Sequence, residues 1–193
     1  MLNDASWQDK RQTDVADWLG LLRAGRKVFA VGSSDSHELS SSPVGYPRTC
    51  IALGTDDPRQ LTPNLVRDRL GAGNSTISGG VYITARLGTA GPGDTTPGAG
   101  SPLEVDVTVR AATWIDVDMI EVVVDGQTVD TIPIMPADAD PSDPAIRWQG
   151  KVPIQTAATG GFVIIAAYGD RTLEPVHPNR KPFGVANPIF VVP

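Results

Sequence analysis

A strict alternation of apolar and polar residues in LEVDVTVR, residues 103–110, is the feature of this sequence that most limits its fold. All the apolar residues fall on one side of an extended chain, and the charged or hydroxylated residues fall on the other. Such a segment indicates a strand with one buried face, as antiparallel sheets contain.

The sequence after this segment continues in the same way. MIEVVVDGQTVDTIPI predicts a hairpin whose turn is Asp125-Gly126, a dipeptide that suits a two-residue loop. Further strands are predicted in IRWQGKVPI, GFVIIAAYGD and NPIFVV. Short strands joined by turns, without helical segments between them, predict a β-sandwich over residues 103–193.

The first part of the chain alternates helices and strands instead. TDVADWLGLLRAGRK predicts a helix that Thr13 or Asp14 can cap, with one apolar face made of Val15, Trp18, Leu19 and Leu22. LTPNLVRDRL predicts a second helix, with Thr62 as its N-cap and Pro63 as its first residue. KVFAV and TCIALG are predicted strands. This alternation is typical of α/β structure.

The domain organisation follows from that contrast. We expect an α+β chain in which a partial α/β unit occupies residues 1–87 and the sandwich occupies residues 103–193. Residues 88–102 are rich in Gly, Pro and Thr and are the expected linker.

Charge and hydropathy exclude two classes of partner. The net charge is -6 and no Lys/Arg cluster is present, so we expect no nucleic-acid partner. No apolar run reaches the roughly 20 residues that span a bilayer, so we expect no membrane span. The single cysteine excludes a disulfide within the chain and leaves the compartment open.

The turn in AVGSSDSHEL, residues 30–39, carries the main candidates for chemistry. Asp35 and His37 are two residues apart, so their side chains can lie on one side of an extended segment. A carboxylate and an imidazole suit Zn²⁺, Mn²⁺ or Fe²⁺, but Asp-x-His is too short a pattern to separate a metal site from a hydrogen-bonded turn. Ser34 beside them does not form a serine-hydrolase triad, because triad members normally come from separate loops.

Three other places hold chemically capable residues. Arg48 in GYPRT can bind an anionic group of a substrate or form a surface ion pair. Asp138, Asp140 and Asp143 could bind Ca²⁺, but the glycine and glutamate of an EF-hand loop are missing, which favours a solvated hairpin loop. His177 lies between prolines and is expected on the surface.

DWLGLLRAGRKVFAVGSSDSHEL followed by VGYPRTCIAL resembles the end of the catalytic domain of PHP-family (polymerase and histidinol phosphatase) metallohydrolases. The most similar group is the carbaryl-hydrolase-like (CehA/McbA) group, in which SDSH is followed by a G.PRT turn. LVRDRLGAGNSTISGG resembles the short helix and Ser/Gly turn that come next. LEVDVTVRAATWIDVDMIEVVVDGQTV and ANPIFV resemble the β-sandwich after the barrel.

The resemblance implies that Asp35 and His37 are metal ligands and that Arg48 binds the substrate. It implies a hydrolase that acts on phosphoester, carbamate or related ester bonds with a divalent metal (Zn, Mn or Fe). The family also uses an upstream H-x-H pair and further His and acidic ligands, whereas His37 and His177 are the only histidines here.

The chain therefore matches the C-terminal part of such an enzyme, cut in the last barrel unit. We expect weak or no metal binding and no turnover by this chain alone. Its first helix would have packed on absent barrel strands, so we expect Val15, Trp18 and Leu22 to lack part of their cover. Two alternatives remain: a non-catalytic β-sandwich that binds a partner or has a structural role, and a gene product without present activity.

Overall fold

A computed structural model of the chain describes residues 2–38 and 44–193 and shows a mostly β protein with two α-helices in those ranges. The helices are α1 (Asp14–Arg23) and α2 (Pro63–Gly71), and single 3₁₀ turns cover Pro58–Gln60 and Pro136–Asp138. The strands are β1 (Leu2–Asn3), β2 (Gly32–Ser33), β3 (Arg48–Ile51), β4 (Ser75–Gly79), β5 (Val81–Arg86), β6 (Thr95–Pro97), β7 (Leu103–Ala111), β8 (Met119–Val124), β9 (Gln127–Pro133), β10 (Ile146–Ile154), β11 (Gly161–Tyr168), β12 (Phe183–Ala186) and β13 (Ile189–Val192).

Two sheets carry the fold. The smaller sheet has the order β10-β7-β5 and is antiparallel. In the larger sheet β11 lies at the centre, with β8 and β9 on one side and β12 and β13 along the other. Strands β4 and β3 extend the sheet beyond β12, and β6 joins β13 as a parallel strand. A separate short parallel ladder joins β1 to β2.

The central strand β11 is buried on both faces because each face has its own cover. Gly184 pairs with Ala167, and a Cβ atom on Gly184 would lie 2.7 Å from the Val81 carbonyl oxygen of β5, so this face meets the smaller sheet. Glu121 pairs with Ala166 on the opposite face and accepts a hydrogen bond from the Trp7 indole. The N-terminal segment therefore covers the outer face, which explains the continuous apolar run in β11.

Helix α1 forms where its period predicts, and its apolar face is buried. Val15, Trp18, Leu19 and Leu22 are all less than 10% exposed, and the Trp18 ring packs edge-on against Trp7 at 6.5 Å. The expectation that this face lacks cover is wrong, because these residues belong to the same hydrophobic core as Trp7 and the sheet strands. The helix ends before Gly25, whose φ of 77° suits a left-handed cap.

Helix α2 begins at the predicted cap and lies on the surface. The Thr62 hydroxyl accepts a hydrogen bond from the Leu65 amide, and Pro63 is the first helical residue. None of its residues is fully buried, and Leu61 before it is more than half exposed. No helix in residues 2–38 and 44–193 is long and apolar enough to cross a membrane.

The sandwich strands confirm the predicted α+β class with antiparallel sheets, including the hairpin at Asp125-Gly126. The predicted strand at residues 27–31 is wrong: this segment does not pair as a strand, and β2 begins only at Gly32. Strands β4 and β5 lie before the predicted linker and pair with β12 and β7, which lie after it. A division at residues 88–102 therefore does not separate the two sheets.

Candidate metal-binding site

The turn that carries Asp35 and His37 follows β2 directly. The Gly32 amide donates to the Thr49 hydroxyl at 2.9 Å, and that hydroxyl donates to the Gly32 carbonyl at 2.9 Å. The Asp4 amide donates to the Ser33 carbonyl at 2.9 Å from the other side. The base of the turn is thus held between β1 and β3, although the turn itself is exposed.

Asp35 and His37 lie close together at this turn. His37 Nε2 and Asp35 Oδ1 are 3.7 Å apart, and their side chains are 74% and 55% exposed respectively. The expected reason for their proximity was an extended segment, but Asp35 has a φ of 50° in the left-handed region. The two side chains are therefore close because the backbone turns at Asp35, and not because they lie on one side of an extended segment.

This spacing fits two ligands of one metal ion. Two donors that each lie about 2.1 Å from a tetrahedral metal are about 3.4 Å apart, so a small side-chain rotation would bring this pair into range. Residues 39–43, which follow the turn, lie outside the described residues. Within the described ranges, no group of three or more His, Cys, Asp and Glu residues could hold a metal ion. The pair is thus a partial ligand set.

Arg48 begins β3, the strand that holds the base of the turn. Its side chain is exposed, and Nη1 donates to the Gly45 carbonyl at 3.1 Å. No carboxylate of the described residues lies within 4.0 Å of its guanidinium. The surface ion pair, which was the alternative role for Arg48, is therefore absent from that part of the chain.

His177 joins this region, although its sequence context predicted a surface position. Its ring lies 5.5 Å from the Tyr46 ring and is half-buried, and its Nδ1 is buried without a hydrogen-bond partner among the described residues. Burial lowers the pKa of His177, and the positive charges of Arg48 and Arg180 lower it further. The chain thus brings two guanidinium groups near this histidine.

Tyr46 connects these groups to the base of the turn. Its hydroxyl donates to the Lys181 carbonyl at 2.6 Å, and burial raises its pKa above the ordinary range. The Arg180 guanidinium lies 5.9 Å from the centre of the Tyr46 ring and bonds to Asp4, whose amide donates to Ser33. Because these residues are far apart in sequence, no local pattern indicates the cluster.

The three carboxylates of the 138–143 loop all have partners, two of them in or next to the loop and one on β7. Asp140 Oδ1 accepts hydrogen bonds from the amide and hydroxyl of Ser142, which lower the pKa of Asp140. Asp138 accepts from the Met135 amide, and Asp143 pairs with Arg110 at 3.0 Å. These bonds favour a solvated loop over a calcium site. The loop is not a hairpin loop, however, because it connects β9 of the larger sheet to β10 of the smaller sheet.

Comparison with known proteins gives no relative: no protein-family model, curated protein sequence or solved structure matches this chain. The resemblance to PHP-family metallohydrolases therefore stays a prediction from the motifs.

Proposed function

We propose that this chain is the C-terminal part of a PHP-type metal-dependent hydrolase, in which residues 1–87 are the end of the barrel domain. Asp35 and His37 supply two ligands of a divalent metal (Zn, Mn or Fe). The observation that carries the proposal is the 3.7 Å approach of Asp35 Oδ1 to His37 Nε2 on an exposed turn. A bound metal would lower the pKa of a water ligand and supply hydroxide near neutral pH.

The backbone of Asp35 supports this assignment. Left-handed backbone costs an ordinary L-residue about 1 kcal/mol or more, and functional sites are a common place for such strain. Asp tolerates this conformation better than most residues, so the strain supports the proposal without carrying it.

The exposed guanidinium of Arg48 favours a phosphoester over a neutral carbamate or carboxylic ester. Arg48 lies on β3 beside the turn, and Arg180 lies over Tyr46 behind it. Guanidinium groups bind phosphate oxygens through paired N–H donors. In the proposed enzyme, Arg48 holds the anionic group of the substrate, whereas the charge of Arg180 is paired with Asp4.

Catalytic metal sites normally have three or more protein ligands, so the remaining ligands would come from a segment encoded upstream. This can be tested at the DNA level, where an in-frame upstream region encoding H-x-H is expected. The longer protein should hydrolyse bis(p-nitrophenyl) phosphate with Mn²⁺, and Asp35→Asn should abolish that activity. A longer protein that hydrolyses the ester equally well with Asp35→Asn would contradict the assignment.

The isolated chain offers a direct test of the two ligands. Calorimetric titration with Zn²⁺ or Mn²⁺ should show weak binding, because water must supply most of the coordination. His37→Ala should remove this binding, whereas the matched variant His177→Ala should keep it. Tight binding that survives His37→Ala would contradict the proposal.

The alternative function is a non-catalytic β-sandwich module that binds a partner or has a structural role. This alternative is favoured because Asp35 and His37, both exposed, are only two ligands, and the described residues contain no group of three or more that could hold a metal. The titration separates the two functions, because a module without a metal role should bind neither ion at the turn.

A further inference from the structure

A pocket of about 220 Å³ lies between the end of α2, the β3–β4 pair and the outer part of β5. Its walls include Cys50, Arg69, Tyr82 and Arg86, none of which belongs to the Asp35 turn. Pockets for drug-sized ligands are about 300–1,000 Å³, so this one suits a molecule of only a few heavy atoms.

The two arginines have unused hydrogen-bonding capacity. Arg69 Nη1 donates to Asn74 Oδ1 at 3.4 Å, and Arg86 Nη1 donates to the Thr89 carbonyl at 3.2 Å. Each guanidinium carries five N–H donors, and within the described residues neither has a carboxylate within 4.0 Å. Most of these donors are therefore available to a ligand.

Among the described residues, Asp94 is the one carboxylate on the pocket wall, and it already accepts hydrogen bonds. Its Oδ2 accepts from the Gly91 amide at 2.9 Å, and its Oδ1 accepts from the Asn74 side chain at 3.4 Å. The wall thus has two guanidinium charges and one carboxylate charge. A local positive potential in a chain of net charge -6 favours an anionic ligand.

From this geometry we infer that the pocket is a binding site for a small anion with carboxylate or phosphate groups, held by Arg69 and Arg86. The inference does not rest on the proposed hydrolase function. Arg69 reaches the pocket from α2 and Arg86 from the end of β5, so the ligand would connect the surface helix to the smaller sheet. Tyr82 adds an aromatic wall that suits the carbon chain of an organic anion.

The rate at which Cys50, the only cysteine of the chain, is alkylated can report on ligand binding in the pocket. Cys50 is half-buried and lines the pocket, so a bound ligand should slow its alkylation by iodoacetamide, a neutral reagent. The rate is measured with succinate, inorganic phosphate or succinamide at about 10 mM and constant ionic strength, since weak binding in the millimolar range is expected. An anion present at about three times its Kd should lower the rate to about a quarter.

Three Arg→Gln substitutions, each of which removes one positive charge, test whether the protection of Cys50 depends on the pocket arginines. Arg69→Gln and Arg86→Gln should each reduce the protection by the anion. Arg67→Gln should leave the protection intact. Arg67 lies on α2 like Arg69, but it is outside the pocket and pairs with Asp68 at 2.7 Å. Protection by succinate alone or by phosphate alone identifies the recognised group, and either result supports the proposal.

The proposal is overturned if neither anion slows alkylation, if neutral succinamide slows it equally, or if Arg67→Gln removes the protection as completely as the other two variants. A Cys50 too slow to react does not end the test. Amide ¹H–¹⁵N shifts of Gly54, Asn74 and Gly91, which border the pocket, should then move with the anion in the wild-type protein and not in Arg69→Gln. Unchanged shifts in the wild type overturn the proposal.

Discussion

The side-chain amide of Asn187 bonds to both backbone groups of Ala30 and so takes the place of a neighbouring strand. Asn187 Oδ1 accepts from the Ala30 amide at 2.8 Å, and Nδ2 donates to the Ala30 carbonyl at 3.0 Å. The same Nδ2 lies 2.9 Å from the Ser75 hydroxyl, and all three residues are buried. One side chain therefore fastens the segment before the Asp35 turn to the larger sheet.

Asn187→Ala should destabilise the protein strongly. The substitution leaves the buried amide and carbonyl of Ala30 without partners, and each unsatisfied buried group costs about 1–3 kcal/mol. We expect the free energy of unfolding, measured by urea denaturation, to fall by about 2–4 kcal/mol. The control is Asn64→Ala on exposed α2, which should change it by less than about 1 kcal/mol. Equal losses in both variants would show that Asn187 has no special role.

This contact also explains one error of the sequence prediction. KVFAV has the composition of a buried strand, but the Asn187 side chain, and not a neighbouring strand, bonds to the backbone of Ala30. Apolar composition predicted that the whole segment is buried; Ala30 is buried, but Val28 is 40% exposed. It could not reveal that the bonding partner is a side chain far along the sequence.

Strand β4 was missed for a related reason. Its STISG sequence is mostly polar, yet Ser75, Thr76 and Ser78 are buried because their hydroxyls find partners inside the protein. Thr76 donates to the Ile83 carbonyl at 3.1 Å, and Ser78 accepts from the Gly80 amide at 3.3 Å. Hydrophobic patterns detect strands that bury apolar side chains, as in β7, and miss strands that bury satisfied hydroxyls.

The candidate site was predictable only in its local part. Asp35 and His37 are neighbours in sequence, so their proximity could be expected from the spacing. The approach of His177 and Arg180 to Tyr46 depends on the pairing of β12 with β4, which no local pattern indicates. The loop that carries His177 is irregular and has no period from which its position could be inferred.

Gly32→Ala should disturb the base of the Asp35 turn. A Cβ atom there would lie 2.6 Å from Ile77 Cγ2 and 3.1 Å from the Arg48 carbonyl oxygen, so β2 or Ile77 must move. Such overpacking costs about 1–3 kcal/mol, which urea denaturation would detect. Gly20→Ala in α1 is the control, because the added Cβ would meet nothing within 4 Å. This substitution should stabilise the helix by about 0.5–1 kcal/mol. A Gly32→Ala protein as stable as the wild type would contradict the close approach.

His177 should make the stability depend on pH near neutrality. Its folded-state pKa lies below the ordinary value of 6.5, so between the two values the unfolded chain binds more protons. The free energy of unfolding should therefore be highest above about pH 6.5, fall as the pH drops below it, and level off below the folded-state pKa. Urea denaturation at several pH values should show this fall in the wild type and in His37→Gln. It should be weaker in His177→Gln; an unchanged fall there would assign the effect to other groups.

The charges that lower the pKa of His177 can be tested separately. Arg180→Gln removes one neighbouring positive charge, so the pKa of His177 should rise toward its ordinary value. An NMR titration of the imidazole protons measures this rise directly. Lys151→Gln is a suitable control, because Lys151 pairs with Asp106 on the smaller sheet and has no part in the His177 environment. Equal rises in both variants would indicate an effect of net charge alone.

Substitutions of Asp35 can distinguish the effect of its backbone conformation on stability from the effect of its carboxylate on metal binding. Its φ of 50° favours glycine, whereas alanine has no side-chain group to compensate for left-handed strain. Asp35→Gly should thus be more stable than Asp35→Ala by about 1 kcal/mol, as measured by urea denaturation. Both variants lose the carboxylate. Both should therefore lose the weak Mn²⁺ binding expected of the wild-type chain, even though glycine relieves the backbone strain. Mn²⁺ binding by Asp35→Gly at wild-type strength would show that the carboxylate is not a ligand, whatever the two stabilities are.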